Sequence, residues 1–536
     1  MTPLTNSPLI WSESAKIQSR KPASPLINVT YLIVGSPHDA HRIARDIALE
    51  QTVEVPEALV LGTPSEQLVA EVRSVEAADS GRCLITLAYR AELASGHLQQ
   101  LLNLIYGNIS IKNGIRLVDI ELPDEFLAQF AGPRYGIDGV RAQLGVYGRP
   151  LVATALKPRG SSLENLANLA TDFALAGGDI VKDDHNLADA DFGAFVTRVR
   201  TIQHAVDEAN RQTGYHTLYF PNVSVPVQQW DSAMAAAREI GAAGVLVAPA
   251  LAGLDFMRLA AERYGRIVAA HPTFYGTFFQ DPAHGINPSV LLGTLQRLAG
   301  ADISIFPNSG GRFGFTHPEC GAIAEALRRP LGHLLPAWPA PAGGMTLDKV
   351  GGMCEQYGES AVFLLGGALL GGGSVHDSTT RFLNALKERF GERRGPARES
   401  DARCQDAKGG VLDGSPEFSW IGRAPIPYKG QKRLPFEGIS RVELFGKGGE
   451  ASGFDVRYFE IQPGGFSSRE KHQHTHCVII ARGSGVVSLN GDRTPVKPND
   501  IVHVPPMVIH QFLNESDEPF GFYCVVDRHR DRPLAP

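Results

Sequence analysis

From about Arg149 the chain alternates short apolar runs with helical stretches, seven or eight times over roughly 240 residues. The runs are LVATALK, DIVKDD, HTLYFPNVS, GVLVAPA, RIVAAHP, DISIFPNSG, LLPAWPAPAG and AVFLLGGALLGGG. Between them lie helical texts such as SLENLANLATDFALAGG, DFGAFVTRVRTIQHAVDEANR and LDFMRLAAERYG. That repetition is what a (β/α)8 TIM barrel needs. An open doubly wound sheet is the competing architecture, and the number of units favours the barrel. In a barrel the strand C-termini face the active site, which brings Lys157, Lys182, Asp184, His271 and Asn308 together as candidates.

The flanking text differs on each side. Residues 1–25 are polar and read as a tail. From Ile27, INVTYLIVG reads as a strand and SPHDAHRIARDIALEQT as a capped amphipathic helix. CLITLAYR, HLQQLLNLIYGN and IRLVDIELP follow as strand, helix and strand. This βαββαβ-like order predicts an α+β domain over residues 26–135, with the barrel over 136–390. Residues 391–430, including ERRGPARESDARCQDAKGG, read as a linker. Residues 431–536 hold short strands parted by Gly, Pro and Asp turns, the pattern of a small all-β barrel.

Composition excludes several partners. The net charge of -6 gives no basic footprint for nucleic acid or an anionic membrane. No apolar run is long enough to span a bilayer, and the N-terminal text lacks a secretory pattern. The 6 cysteines, Cys83, Cys320, Cys354, Cys404, Cys477 and Cys524, are scattered without a CxxC pair. A reducing, cytoplasmic setting is therefore expected.

Gly177-Gly178-Asp179-Ile180-Val181-Lys182-Asp183-Asp184-His185 carries the densest chemistry. A lysine among carboxylates at a strand end has two readings. One is a salt-bridged cluster; the other is a carbamylated lysine giving oxygen to Mg2+. The residues from Phe130 to Pro158, FAGPRYGIDGVRAQLGVYGRPLVATALKP, resemble the segment that opens the barrel in the RuBisCO superfamily. Lys157-Pro158-Arg159 resembles that family's KPK motif, and Lys182 falls 25 residues later, where the family has its carbamylated lysine. The resemblance, over roughly residues 27–390, implies that Asp184 is a metal ligand and His271 an active-site histidine. It further implies that Glu50 and Asn108 complete a neighbouring subunit's site, and that Gly343-Gly344 and Gly366-Gly367 bind phosphate through bare N–H groups. The active unit implied is a homodimer or a higher homo-oligomer.

The departures shape the function. His185 replaces the family's second acidic ligand, and nitrogen suits Mg2+ less well than carboxylate. The mobile loop reads Ser309-Gly310-Gly311-Arg312-Phe313-Gly314 and has no lysine, so CO2 fixation is not expected. These features point to a RuBisCO-like (form IV) protein that enolises a phosphorylated keto-sugar. Lys157 or the Lys182 carbamate is the candidate base. His271 is a proton relay or a structural hydrogen-bonder. Arg159 and Arg312 are phosphate candidates, although Arg312 reads equally as a solvated loop arginine.

In the C-terminal part, Glu470-Lys471-His472-Gln473-His474-Thr475-His476 lies in an extended run, so alternate side chains share a face. With His510 these histidines form a metal signal. PGG, the HxH text, NDIVHVPP and HQF resemble the cupin family. The resemblance favours Glu470, His472, His476 and His510 as ligands, with His474 as a substitute. The metal expected is Mn2+ or another divalent transition metal. Cys477 and Cys524 are read as small buried hydrophobes, and His503 as a plain strand residue.

Three functions follow from different classes. The first is isomerisation of 5-methylthioribulose 1-phosphate, with a cupin that removes the methylthio group from 1-methylthioxylulose 5-phosphate, a thiol such as glutathione accepting it. The second is a RuBisCO-like decarboxylase, transcarboxylase or hydrolase of a branched keto-acid phosphate, of the 3-oxo-isoapionate 4-phosphate type. The third is a sugar-phosphate sensor, which the retention of Lys157 and Lys182 disfavours.

Overall fold

The computed structural model describes residues 24–79, 81–311, 313–370, 373–395, 434–445 and 454–527, with residues 415, 418–420 and 425–428 between them. The expected tail, most of the expected linker and Arg312 lie outside the described residues. The chain divides into two compact units, one before and one after residue 402.

In the first unit, Leu26–Val34 pairs antiparallel with Arg82–Arg90 and with Ile115–Glu121. Its side chains alternate, and Ile27, Val29, Tyr31 and Ile33 enter the core. Glu71–Asp79 forms the sheet edge beside Arg82–Arg90. Its text, EVRSVEAAD, lacks apolar alternation, so no single run announced this strand. The helix Pro37–Glu50 starts where Ser36 caps the Asp39 N–H, and buries Ala40, Ala44, Ile47 and Ala48 along one stripe. The remaining edge strand of this sheet is Gly285–Ile286, contributed from the barrel region.

Eight parallel strands form the barrel: Leu151–Leu156, Ile180–Asp183, Leu218–Phe220, Gly244–Val247, Ile267–Ala270, Ile303–Pro307, Trp338–Ala342 and Val362–Leu365. Each pairs with its chain neighbours, and the last returns to the first. Between the third and fourth strands the ring is joined by a single bridge, Asn222 with Leu246. Leu151, Ile180, Phe220, Leu246, Ile267, Ile303, Trp338 and Val362 pack together in one core cluster. The expected α+β domain and TIM-type barrel are therefore both present.

Two buried polar devices hold the N-terminal ends of the strands. The Arg149 guanidinium forks onto Asp179, with both side chains buried. Asp302 accepts the N–H groups of Tyr135 (2.7 Å), Gly136 (2.8 Å) and Val268 (3.0 Å). Burial raises the Asp302 pKa to about 6 despite those three donors.

The second unit is antiparallel throughout. Phe454–Phe466 is its longest strand and pairs with Glu437–Phe445 and Phe520–Asp527. His476–Arg482 lies between Phe520–Asp527 and Ile501–Val504, while Gly485–Leu489 lies between Asp492–Val496 and His510–Leu513. Phe459, Ile461, Val478, Ile480, Phe512 and Phe522 fill this half-barrel, as a cupin requires. Ile426–Pro427 pairs with Glu437–Phe445, and Arg393–Arg394 pairs with Val146–Tyr147 in the first unit. Cys524 is buried as expected, but Cys477 is exposed. His476, Val478 and Ile480 take the inner face of their strand, and period-two alternation sends Cys477 outward.

Asp302→Ala should leave three N–H groups without their acceptor, those of Gly136 and Val268 buried and that of Tyr135 partly so. At roughly 1–3 kcal/mol per group, a loss of about 3 kcal/mol or more is expected in urea unfolding followed by circular dichroism.

Candidate active site and candidate metal centre

The second barrel strand ends in Lys182-Asp183 with Asp184 directly after it, and the Asp183 carboxylate turns away from both neighbours. Asp183 is fully buried. It pairs with Arg198 of the following helix, accepts the Tyr219 hydroxyl at 2.8 Å and accepts the Asn222 N–H at 2.7 Å. Its oxygens are thus spent on the scaffold. Asn222 also donates its side-chain amide to the carbonyls of His185 and Leu187, each at 3.2 Å, which holds the loop carrying His185.

The other side gathers the predicted residues. Lys157, directly after the first strand, ion-pairs with Asp184 Oδ2. Asp184 Oδ1 accepts the Asn186 N–H at 2.9 Å and lies 3.4 Å from His185 Nδ1. Burial pushes the Asp184 carboxyl up, but the Lys157 ammonium and the Asn186 N–H outweigh it and hold the pKa low. The His185 ring stacks on His271, centroids 4.1 Å apart and planes 15° off parallel. The Thr273 N–H donates to His271 Nδ1 at 3.2 Å, so the proton of the neutral ring sits on Nε2. Burial, with Lys182 and His185 nearby, holds His271 well below the usual histidine pKa. Lys182 is 3% exposed and donates to the Asp183 carbonyl at 3.0 Å. Burial pushes its pKa down to about 8, against the pull of Asp184.

Around this cluster the mouth is built from loops. Gly343 (φ +87°) and Gly344 (φ +66°) follow the seventh strand in the left-handed region that favours glycine. A Cβ on Gly344 would lie 3.0 Å from the Gly311 Cα, whereas one on Gly343 would meet open space. Gly366 and Gly367 follow the eighth strand, with equally open space where a side chain would stand. Arg159 is exposed. Asn308 is buried and accepts the Tyr357 hydroxyl at 2.7 Å. Lys349, which the sequence reading passed over, donates to the Gly310 carbonyl at 3.2 Å and so ties two mouth loops together. Glu50 and Asn108 meet each other at 3.1 Å on the N-terminal domain. Asn108 also donates to Glu54, and Lys112 pairs with Glu50.

Two segments of the chain match family models. Residues 136–308 match the catalytic domain of the ribulose bisphosphate carboxylase large chain, and residues 457–526 match the cupin domain. Ribulose bisphosphate carboxylase-like protein 1 of Rhodopseudomonas palustris is 39% identical over 352 residues, covering 65% of this chain and 94% of that protein. The chain belongs to the RuBisCO-like proteins. It differs from that relative in carrying a C-terminal cupin domain beyond the aligned region. A protein of Rhodospirillum rubrum named 5-methylthioribulose-1-phosphate isomerase is 38% identical over 349 residues, covering 64% of this chain and 91% of that protein. The crystal structure of a Rubisco-like protein from Rhodopseudomonas palustris superposes with a TM-score of 0.62 at 36% identity, over 68% of this chain and 98% of that one. Among the described residues no helix is long and apolar enough to cross a membrane.

The cupin of this RuBisCO-like chain gathers a second cluster. Glu470 and His510 face each other in an antiparallel bridge, exchanging N–H to carbonyl bonds of 3.1 and 2.9 Å. The Met507 N–H donates to the His472 carbonyl at 2.7 Å and anchors that loop. His472 Nδ1–H donates to the His474 carbonyl at 2.8 Å, and His510 Nδ1–H donates to the Val508 carbonyl at 3.0 Å. Both bonds place the ring lone pair on Nε2. His472 Nε2 is buried and has no hydrogen-bond partner. His474 Nε2 lies 3.0 Å from His476 Nε2. Ligand atoms of Glu470, His472 and His510 lie within 4.8 Å of one another, as do those of His472, His474 and His476. The Ser468 hydroxyl donates to Glu470 Oε2 at 2.6 Å and is itself in contact with the Tyr428 hydroxyl at 2.9 Å. An orphaned buried imidazole nitrogen beside a carboxylate and further imidazoles fits a transition metal. All five predicted cupin residues converge, and His503 is exposed on its strand.

Burial, with His474 and His510 close by, lowers the His472 pKa to about 4. A histidine depressed in the folded state is neutral there, while the unfolded chain takes up protons below its ordinary pKa. Metal-stripped protein should therefore lose cupin stability as pH falls from about 6.5 through 4, and His472→Gln should flatten that slope in thermal melts.

Proposed function

We propose that the chain isomerises 5-methylthioribulose 1-phosphate at the barrel and removes the methylthio group at the cupin. The reading rests on one observation above all: Lys157, Lys182, Asp184, His185 and His271 meet at the strand C-termini beside two glycine turns. The name of the Rhodospirillum rubrum relative supports the same substrate.

As it stands the cluster has one carboxylate, Asp184, because Asp183 is committed to Arg198 and Tyr219. A hard divalent cation such as Mg2+ needs a second anionic oxygen. Lys182, with its pKa near 8, carries enough neutral amine near neutral pH to react with CO2 and form a carbamate. Carbamylated Lys182, Asp184 and His185 are the residues that would hold the cation. Bound there, a divalent cation supplies Lewis-acid polarisation of a ketone.

The side chains perform the remaining tasks. Bare N–H groups at Gly343, Gly344, Gly366 and Gly367 donate to the phosphate oxygens, with Arg159 at the rim. The carbamate of Lys182 takes the proton from the carbon beside the carbonyl, and the Lys157 ammonium, held against Asp184, is placed to return one. His271, its Nδ1 occupied by the Thr273 N–H, offers Nε2–H to the substrate oxygen. Returning protons along the carbon chain moves the carbonyl with no net change in atoms. No lysine lies in the Ser309–Gly314 text to hold CO2, so carboxylation is not proposed.

Glu470, His472, His476 and His510, with His474 beside them, would hold a Mn2+-class ion in the cupin. Such an ion supplies polarisation of the new ketone next to the C–S bond. A thiol such as glutathione takes the methylthio group as a mixed disulfide, and its hydrogen replaces sulfur on carbon. Fusion raises the local concentration of the intermediate between the sites. Glu50 and Asn108 are proposed to complete the site of a partner copy in a homo-oligomer.

Lys182→Ala should abolish turnover while circular dichroism stays unchanged; normal metal-dependent activity in that variant would refute the role. Incubating the full chain with 5-methylthioribulose 1-phosphate, Mg2+, Mn2+ and glutathione, and following 31P and 1H NMR, should show isomerisation and then loss of the methylthio group. Unchanged substrate would defeat this reading in favour of a keto-acid phosphate decarboxylase. Isomerised product that keeps its sulfur would reject the cupin half alone.

A further inference from the structure

The barrel cluster is unusual in the balance of its donors. Beside Lys157 and Lys182 it holds one carboxylate and two imidazoles. His185 is not a loose neighbour of that carboxylate. Its backbone carbonyl is gripped by the Asn222 side chain, and its ring is stacked on His271. The result points Nδ1 at Asp184 Oδ1, 3.4 Å away, close to the separation of two adjacent ligands on one ion. Asp183 cannot substitute for it, since Arg198, the Tyr219 hydroxyl and the Asn222 N–H occupy its oxygens. Turning it toward the cluster would break that set and leave the buried Arg198 guanidinium with Asp189 as its one carboxylate partner.

We infer that His185 is a nitrogen ligand of the barrel ion and that this site therefore prefers a first-row transition cation, such as Mn2+, Co2+ or Zn2+, over Mg2+. The inference rests on the proposed metal role of Lys182 and Asp184, and it adds the identity of the ion. Imidazole binds borderline cations well, whereas Mg2+ favours oxygen and dehydrates reluctantly. A carbamate, a carboxylate and an imidazole give two negative charges and one nitrogen, a mixed set that suits the first-row ions. His271 is the competing nitrogen. Its Nδ1 already accepts the Thr273 N–H, which leaves Nε2 as its one outward atom.

The test uses the full chain with His472→Ala and His510→Ala, so that the cupin contributes no signal. This protein is loaded with Mn2+ in bicarbonate and studied by pulsed EPR, with Mg2+ competition as a second readout. The expected result is a 14N modulation from a directly bound imidazole, with Mn2+ displaced only by a large excess of Mg2+. In His185→Glu the nitrogen signal should vanish and the preference should move toward Mg2+. In His271→Gln the signal should remain. Bound Mn2+ without nitrogen coupling, or coupling that survives His185→Glu, would overturn the inference while leaving the metal reading intact. Binding of neither ion, with Lys182→Ala no different, would overturn both.

Discussion

The buried carboxylate of Asp183 is the interaction on which the barrel site depends. Arg198, Tyr219 and Asn222 bring a helix, the third strand and the following loop to this one side chain. A buried ion pair of this kind is weak evidence for stability, because desolvation consumes most of its attraction. Its effect here is positional. Once Asp183 is fixed on the scaffold side, the alternation of the strand leaves Lys182 and Asp184 for the other side. Asn222 does double duty: it is also the residue through which the barrel ring is joined to the fourth strand.

The consequence is an electrostatic division of labour between neighbours. Lys182 is buried with only a modest share of negative charge, so its amine sheds its proton more readily than a surface lysine. Lys157 takes the ion pair with Asp184 and remains partly exposed. One lysine is thus prepared to react as an amine, while the other stands as a cation beside the carboxylate. The two imidazoles are stacked, and the Thr273 N–H orients the His271 ring. For the reaction proposed above, groups already oriented in this way need little reorganisation when charge develops.

The cupin cluster is assembled differently. Its donors come from a loop and from two strands, and Glu470 and His510 are brought face to face by backbone pairing. Burial keeps the His472 and His476 imidazoles neutral, and the Nδ1–H bonds of His472 and His510 to carbonyls turn their other nitrogens inward. Sequence spacing placed Glu470, His472 and His476 on one face by alternation. It also offered His474 on that face as a substitute ligand, and the structure keeps His474 beside His476 although residues 473–475 lie outside the strand.

The sequence by itself determined the strand–helix rhythm, the strand-end position of Lys157, Lys182, Asp184 and His271, and the histidine-rich run of the cupin. These are local properties: hydrophobic period and residue type at the end of a run. The Glu71–Asp79 strand escaped because it turns only Val72 and Val75 as apolar side chains to the core, and a bulge between Val72 and Ser74 breaks their alternation. Arg198, Tyr219 and Asn222 escaped because each is unremarkable in its own helix, strand or loop and gains meaning only from Asp183. The placement of Cys477 followed from a register that its neighbours set. Tertiary structure alone decided which carboxylate is committed to the scaffold, which ring nitrogen carries a proton and which donors meet. Those outcomes depend on contacts between residues far apart in the chain, and no local pattern encodes a distance across the fold.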